Sequence, residues 1–375
     1  MKKILLYTDT PYAGGAELQM FLLAKFLDKK EFTVVLAWSN YKELDKWSKK
    51  FENEGIKVIR LNVKSKHDIK HYFQLKKIIK EEHPDILHAH IWNPASCRYA
   101  YLAAKSAKIP LVTTEHDPFK LSFLKNLFKK SVLKHTKKIV TVSQNNKKIL
   151  EKLYPKHKGK LEVILNGLDI TWWQSQFLKF TEEDLHRIKT DLFKAKEDSL
   201  IVITVGELHE RKGIKYLLQS IPEVIEKFPN VKFAIVGDGV ERKNLENLIH
   251  KLKIENNTIL LGHQKEIPYL LKSSNIFVLP SIREAFGFVN TEAMMTPLPV
   301  IATKVGGIPE IVKDKETGIL IDPKNSEKLT KALLELIPDL KKQESLAVAG
   351  FDRVIKNFDA KKMAKEYEKL YKNLG

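Results

Sequence analysis

The most informative stretch of this chain reads Ser281-Ile-Arg-Glu-Ala-Phe-Gly-Phe-Val-Asn-Thr-Glu-Ala-Met-Met295. It follows the apolar run Ile276-Phe-Val-Leu-Pro280, so the pattern predicts a buried strand, a tight loop and then a helix. We expect the helix to begin near Phe286 and Gly287 and to end before Pro297, because proline disrupts a helix interior. The stretch therefore predicts one strand–loop–helix unit of an α/β sheet.

The start of this helix has the features of a phosphate-binding site. A helix N-terminus carries partial positive charge and unpaired N–H groups, which attract anions. Gly287 allows a ligand to come close to the backbone. Glu284 precedes the helix and Glu292 lies about a turn and a half inside it, so one carboxylate can meet the far end of a ligand while the other meets a hydroxyl beside the phosphates. This layout suits a sugar nucleotide.

The rest of the chain alternates short apolar runs with helical patterns, which is typical of doubly wound parallel α/β sheets. The predicted strands are Ile4–Tyr7, Thr33–Leu36, Val58–Ile59, Ile86–Leu87, Leu111–Thr113, Ile139–Val142 and Val163–Leu165, then Ile201–Val205, Lys232–Val236, Thr258–Leu261, Ile276–Leu279 and Val300–Ile301. The series breaks at Asn166–Asp169, so we expect one domain over residues 1–170 and another over 171–357. Because ligands of such sheets bind beyond the C-terminal strand ends, we expect the domains to face each other across a cleft.

Length and composition agree with two globular domains. The chain has 375 residues, of which 43% are hydrophobic. Its single cysteine, Cys97, excludes a disulfide framework and a cysteine-based metal site. No run of about 18 apolar residues predicts a transmembrane helix, and the N-terminus has the pattern of a first strand rather than of a signal peptide. We therefore expect a cytoplasmic protein.

Positive charge is concentrated in one segment. The net charge is +19, and residues 120–138 contain seven lysines and no acidic residue. The same segment has a predicted apolar face formed by Leu121, Leu124, Phe128 and Val132. A basic helix with such a face is typical of an interfacial membrane helix, although a helix packed on the sheet with a lysine-rich outer side has the same pattern. The candidate membrane-binding residues are Lys120, Leu124, Lys125, Phe128, Lys129, Lys130 and Lys134. No nucleic-acid-binding module accompanies the charge, so nucleic acid is not an expected partner.

The pair Glu284-x7-Glu292, with Phe286-Gly287 and Glu292-Ala-Met294 around it, resembles the Glu-x7-Glu motif of family-4 retaining glycosyltransferases. The resemblance extends over essentially the whole chain. It implies the α/β GT-B fold, which has two Rossmann-like domains and a last helix, here within residues 358–375, that packs back onto the first domain. It also implies that Glu284 contacts the donor sugar and that Glu292 contacts the donor ribose.

A second motif of this family follows the first strand of the second series. Gly206 and Lys212-Gly213 match the family pattern, whereas Glu207 stands where an arginine is usual. We expect Arg211 to supply the missing charge, because two cations there would neutralise a diphosphate leaving group.

Three further motifs match the family. Gly14-Gly15 corresponds to a loop beside the donor diphosphate, Leu261-Gly-His263 to the segment that binds the nucleotide base, and His116 to a histidine near the donor sugar. The candidate catalytic residues are thus His116, Glu284, Lys212 and Arg211. The candidate donor-binding residues are Gly14, Gly15, Gly206, Phe286, Gly287, Phe288, Glu292, Gly262 and His263.

These features predict a retaining glycosyltransferase that moves a sugar from a nucleotide-sugar donor to a lipid-linked or glycan acceptor, in cell-surface polysaccharide or glycolipid synthesis. We expect it to be peripheral on the cytoplasmic face of the membrane. No cofactor and no metal are expected, because the chain lacks an Asp-x-Asp motif and His88-Ala-His90 has no evident third ligand. The alternatives are a sugar-nucleotide epimerase of the same fold and a non-catalytic, membrane-associated nucleotide-sugar-binding protein, which Glu207 would favour.

Overall fold

The structure, a computed structural model, describes residues 1–374. The chain divides into two compact units. The first consists of Met1–Gly167 together with the chain from Ala360 onward, and the second consists of Leu168–Asp359. Each unit has its own parallel sheet and its own hydrophobic core, so each is a domain in its own right.

The first unit contains seven strands and, before residue 168, six α-helices. The strands are β1 Lys2–Thr8, β2 Phe32–Ser39, β3 Lys57–Leu61, β4 Ile86–Ile91, β5 Leu111–Glu115, β6 Lys138–Thr141 and β7 Leu161–Val163. The helices are α1 Gly15–Phe26, α2 Asp45–Asn53, α3 Lys70–Glu82, α4 Arg98–Ala107, α5 Phe123–His135 and α6 Gln144–Leu153. The strands pair in parallel in the order β3-β2-β1-β4-β5-β6-β7. Hydrophobic clusters cover both faces of the sheet, which explains why its strands are continuous apolar runs.

The second unit contains six strands and nine α-helices. The strands are β8 Ile201–Val205, β9 Lys232–Val236, β10 Thr258–Gly262, β11 Ile276–Leu279, β12 Val300–Thr303 and β13 Ile319–Ile321, in the order β10-β9-β8-β11-β12-β13. The helices are α7 Ile170–Phe177, α8 Glu182–Arg187, α9 Ile214–Lys227, α10 Arg242–Leu252, α11 Ile267–Lys272, α12 Phe288–Met295, α13 Ile308–Ile311, α14 Ser326–Leu336 and α15 Leu340–Asn357. The edge strand β13 was not predicted, because a run of three residues is too short to show a period.

The last helix, α16 (Ala360–Lys372), belongs to the first unit, where it packs against α1. Met363, Tyr367 and Tyr371 lie in the same hydrophobic cluster as the β1 residues Ile4 and Leu6. The helix is therefore part of the core of the first unit rather than a surface appendage.

The parallel pairing brings the loops after the strands to one edge of each sheet. In the first unit these loops follow β1, β4 and β5, and in the second they follow β8, β9, β10, β11 and β12. Nearly all the candidate site residues lie in these loops or just beyond them, at the edge where open α/β sheets bind ligands.

Candidate functional site

Two of the predicted catalytic residues are in direct contact in the second unit. Lys212 ends the short turn Glu210–Lys212 after β8, and Glu284 lies in the loop between β11 and α12. The Lys212 Nζ is 2.6 Å from the Glu284 Oε2, and only 12% and 11% of the two side chains are exposed. A charge-assisted hydrogen bond in this partly desolvated place restrains both groups. The site thus has one fixed cation beside one fixed carboxylate.

The backbone joins the two segments that carry this pair. The Arg211 carbonyl accepts hydrogen bonds from the backbone N–H groups of Ile282 (2.8 Å) and Arg283 (3.2 Å). The turn after β8 and the loop after β11 therefore hold each other in place, which positions Lys212 opposite Glu284.

Two glycines allow close backbone contacts around the same loop. Gly213 has a φ of +66°, and a Cβ there would lie 2.1 Å from the Pro280 carbonyl oxygen. Gly306 has a φ of +55°, and a Cβ there would lie 1.5 Å from the Glu284 carbonyl oxygen. Any larger residue at either position would displace the loop, so the location of Glu284 depends on both glycines.

Two hydroxyl residues that the sequence did not single out support Glu284. The Ser281 hydroxyl donates a hydrogen bond to the Glu284 Oε2 at 3.3 Å. The Thr303 hydroxyl donates to the Ser281 carbonyl at 2.6 Å, which links the loop to the end of β12. Ser281 opens the stretch directly after Pro280, a position that could have drawn attention to it; Thr303 gives no such signal.

Glu292 lies inside α12, and its carboxyl group has a raised pKa. The helix begins at Phe288 after Gly287, within two residues of the predicted start. Glu292 is partly buried, and removal of its carboxylate from water raises its pKa to about 7. A neutral or ionised carboxyl at this place can accept a hydrogen bond from a hydroxyl group of a ligand.

The aromatic residues at the start of α12 have different roles. Phe286 is buried, and its ring packs edge-on against Phe358 with 6.0 Å between the ring centroids. The Phe286 ring therefore belongs to the core, and the assignment of Phe286 to donor binding stays a prediction. Phe288 is partly exposed at the first position of the helix, with Gly287 before it.

Arg211, the predicted substitute cation, has a carboxylate partner. Its guanidinium donates a hydrogen bond to the Glu207 Oε2 at 2.9 Å, and both side chains are substantially exposed. Glu207 thus neutralises part of the Arg211 charge. Arg211 was expected to replace the arginine that the family has at position 207, and it does so less fully.

The remaining predicted donor-binding residues of the second unit lie at neighbouring strand ends. The Gly206 N–H donates to the Val236 carbonyl at 2.9 Å, and the Gly237 N–H donates to the Gly262 carbonyl at 2.8 Å. These bonds align the ends of β8, β9 and β10 side by side. The His263 side chain, which follows Gly262, is exposed.

His116 follows β5 in the first unit and is buried. Its backbone N–H donates to the Ile91 carbonyl, and its own carbonyl accepts a hydrogen bond from the Asn146 side chain. The His116 Nε2 lies 3.1 Å from the Nδ1 of His90, a contact that was not predicted. Burial lowers the pKa of His116 to about 4, so its imidazole is neutral at pH 7.

The glycine pair of the first unit precedes α1. The Gly14 N–H donates to the Glu17 Oε2 at 2.9 Å, which caps the helix, whereas a Cβ on Gly15 would meet only open space. Burial raises the pKa of Glu17, although the Gly14 bond opposes this.

His88 and His90 share one strand face, as the alternating pattern predicts, with 4.4 Å between their ring centroids. His88 is bonded to the Tyr371 hydroxyl (2.6 Å) and the Thr114 hydroxyl (2.8 Å). Across residues 1–374, no three His, Cys, Asp or Glu side chains are placed to hold a metal ion.

The predicted membrane helix, α5, has a different exposed face from the one expected. Lys129 is buried, and its Nζ lies 2.5 Å from the Glu115 Oε1, so its assignment to a membrane surface is wrong. Leu121 and Val132, two members of the predicted apolar face, are buried as well. The predicted apolar face is therefore divided, because Leu121 and Val132 are buried whereas Leu124 and Phe128 are exposed.

The first half of α5 nevertheless exposes a hydrophobic cluster. Phe123 and Leu124 are 75% and 77% exposed, and Leu127 and Phe128 are exposed to a lesser degree. The surrounding Lys120, Lys125, Lys130 and Lys134 are exposed. A cavity of about 240 Å³ adjoins the cluster and is lined by Ile91, Pro94, Ala95, Ser96, Arg98, Leu124, Lys125, Phe128, Lys129 and Val132. No helix within residues 1–374 has the length and apolarity needed to cross a bilayer.

Comparison with known proteins identifies the family. Residues 13–172 match the family described as Glycosyltransferase Family 4, and residues 188–353 match Glycosyl transferases group 1. The chain is 30% identical to an uncharacterized glycosyltransferase of Methanocaldococcus jannaschii, an alignment that covers 91% of this chain and 98% of that protein. The chain belongs to the family-4, or group 1, glycosyltransferases and is a glycosyltransferase enzyme.

Two other similar proteins are informative. The Escherichia coli UDP-Gal:alpha-D-GlcNAc-diphosphoundecaprenol alpha-1,3-galactosyltransferase is 26% identical, with 83% of this chain and 81% of that protein aligned. Anabaena HepE in complex with UDP superposes with a TM-score of 0.85 at 22% identity, over 100% of both chains. The predicted fold class, GT-B with two Rossmann-like domains, is confirmed.

Proposed function

We propose that this enzyme transfers a sugar from a nucleotide-sugar donor to an acceptor hydroxyl with retention of anomeric configuration, and that the second unit binds the donor. The observation that carries this proposal is the contact between Lys212 and Glu284 beside the start of α12, with Glu292 inside the helix. A cation, a helix N-terminus and two carboxylates match the diphosphate and the hydroxyl groups of a sugar nucleotide.

In this proposal, Lys212 and the first N–H groups of α12 stabilise the diphosphate as it leaves. Charge develops on the bridging oxygen while the bond to the sugar breaks, and a positioned cation lowers the energy of that state. Arg211 contributes less than an unpaired cation would, because Glu207 competes for its guanidinium. With these charges in place we also propose that transfer needs no metal ion.

Glu284 contacts the donor sugar and Glu292 accepts a hydrogen bond from the ribose, as the family resemblance implies. The Glu284 Oε2 already accepts bonds from Lys212 and Ser281, which makes it a poor nucleophile. We therefore favour front-face attack: the acceptor oxygen bonds to the anomeric carbon on the face from which the diphosphate departs. The acceptor proton passes to a phosphate oxygen of the leaving group.

We propose a lipid-linked acceptor at a membrane surface. The exposed Phe123, Leu124, Leu127 and Phe128 beside exposed lysines fit the polar–apolar boundary of an anionic membrane. The named acceptor of the Escherichia coli relative is a diphosphoundecaprenol, which supports a lipid carrier for this enzyme too.

The decisive experiment begins with a panel of UDP-sugars, because UDP appears in the names of the Escherichia coli relative and of the HepE complex. We expect one donor to raise Tm and to be consumed only when acceptor lipid extract is present, with EDTA having no effect. Proton NMR of the product then gives its anomeric configuration. Inverted product would refute retention, interconversion of the donor sugar would identify an epimerase, and binding without turnover would identify a non-catalytic protein.

A further inference from the structure

His90 and His116 form a hydrogen-bonded pair of imidazoles. His90 is the last residue but one of β4, and His116 directly follows β5, the neighbouring strand in the sheet. The His90 Nδ1 lies 3.1 Å from the His116 Nε2, and the rings are stacked with 26° between their planes. Both residues are buried. One nitrogen of this pair must donate a proton and the other must accept it.

The pair has only two arrangements because both rings are neutral. Burial lowers the pKa of His116 to about 4 and that of His90 well below its usual value. Each ring therefore carries one N–H and one lone pair. Either His116 donates from Nε2 and His90 carries its proton on Nε2, or His90 donates from Nδ1 and His116 carries its proton on Nδ1.

The Nε2 atom of His90 distinguishes the two arrangements. It is buried, and among residues 1–374 it has no hydrogen-bond partner. In the first arrangement this atom would be a buried N–H without an acceptor. In the second it is a lone pair without a donor. Unpaired buried N–H groups are rarer in proteins than unpaired acceptors, so the second arrangement is favoured.

We propose that His90 is a positioning residue that holds His116 as a neutral hydrogen-bond donor, with the proton on Nδ1. This inference rests on the proposed function for what His116 touches. There, the Nδ1–H of His116 serves as a hydrogen-bond donor to a substrate oxygen atom, and His116 does not act as a base.

Neighbouring residues fix the orientation of the His90 ring. His88 packs against it at 4.4 Å between ring centroids. His88 in turn is bonded to Tyr371 of α16 and to Thr114 of β5, and Thr114 also contacts the Tyr367 hydroxyl at 2.9 Å. A row of packed and hydrogen-bonded side chains thus connects α16 with His90.

The tautomer can be measured without any substrate. In protein with 15N-labelled histidine, long-range proton–nitrogen NMR spectra distinguish Nδ1–H from Nε2–H imidazoles, and H116Q identifies the signals of His116. We expect the Nδ1–H form in the wild type and in H90N, because the asparagine amide can donate from the place of the His90 Nδ1. H90F, which keeps a ring but no donor, should lose this form. An Nε2–H signal in the wild type, or an unchanged tautomer in H90F, would overturn the proposal.

Kinetics and a structural control complete the test. Turnover should fall tenfold or more in H90F and recover in H90N. Y371F removes the partner of His88 and should lower Tm while leaving the His116 tautomer unchanged; a change of tautomer in Y371F would mean that general loosening, not His90, is responsible. If the NMR result holds while no nucleotide sugar is turned over, the proposed function fails and the positioning role stands.

Discussion

The Lys212 ammonium donates a 2.6 Å hydrogen bond to the Glu284 Oε2, although the two residues are 72 positions apart in the chain. The two side chains are held opposite each other, because the Arg211 carbonyl accepts backbone hydrogen bonds from the loop that carries Glu284. In the proposed function, the donor therefore meets a cation and a carboxylate that are already oriented, which reduces the reorganisation needed during transfer.

This relationship predicts that the two residues act as a unit. K212A and E284Q should each lower kcat by about 10²–10³, the cost typical of removing one group that stabilises a developing charge. K212A/E284Q should lose far less than the product of the single losses. Steady-state kinetics with the active donor measure this, and K272A on the exposed side of α11 is the matched control for loss of a lysine. Independent, multiplicative losses would show that the contact has no part in transfer.

The pairing of Arg211 with Glu207 predicts that the Glu207 carboxylate weakens donor binding. E207Q should lower the KM for the donor several-fold, because the Arg211 guanidinium is then free to bind the diphosphate. R211A should raise the KM, and E207Q should have no effect in the R211A background. An equal gain from E207Q with and without Arg211 would show that only the negative charge at position 207 mattered.

The raised pKa of Glu292 predicts a pH dependence of stability. The folded pKa of about 7 exceeds the usual 4.5, so the protonated carboxyl stabilises the fold. This contribution is fully present below about pH 4.5 and is lost as pH rises through about 7. We expect the difference in Tm between wild type and E292Q to change over this window. A constant difference from pH 5 to pH 8 would contradict the shift.

Glu292 also predicts proton release on donor binding. A ribose hydroxyl bonds more strongly to an ionised carboxylate, so a bound donor should lower the pKa of Glu292 and release a proton near pH 6.5. Calorimetry in two buffers of different ionisation enthalpy measures this, with an intact nucleotide sugar rather than free UDP as ligand so that no terminal phosphate titrates. E292Q should bind several-fold more weakly and release no proton.

The exposed face of α5 predicts binding to anionic vesicles. F123S/L124S should abolish sedimentation with them. K125Q/K130Q should weaken binding by about 1 kcal/mol per charge removed and should reduce its salt dependence. K243Q/K251Q on α10 removes the same charge elsewhere and should change little. K129Q should lower Tm without impairing vesicle binding, because it breaks the buried pair with Glu115. Failure of wild type to bind at low salt would favour a soluble acceptor.

Much of the fold could be predicted from sequence because strand and helix periods are local properties. The strand–loop–helix unit around Glu284 was predicted, and Gly287 marks the start of α12 because it precedes the first helical residue. The contact of Glu284 with Lys212 was not predicted, since it depends on two neighbouring strands, β8 and β11, bringing their following loops together.

Lys129 shows the limit of the same method. Lysine is almost never fully buried, and its position in a lysine-rich helix gave no reason to expect otherwise. Only the packing of α5 against the end of β5 reveals that Glu115 is its partner. By contrast, Glu207 and Arg211 are four residues apart, a spacing that could have indicated their ion pair. The alternating pattern correctly placed His88 and His90 on one face of a strand, but it did not reveal the contact of His90 with His116.

The position of α16 has a consequence for how the chain folds during synthesis. Its Met363, Tyr367 and Tyr371 complete a core whose buried side chains outside α16 all come from the first 164 residues of the chain. At about 5–20 residues per second, the ribosome needs roughly 10–40 s to make the second unit before these residues emerge. Throughout that interval the first unit exposes an unfinished apolar surface on α1 and its sheet. We therefore expect a nascent chain halted within the second unit to be prone to aggregation, even though its first seven strands have all been translated.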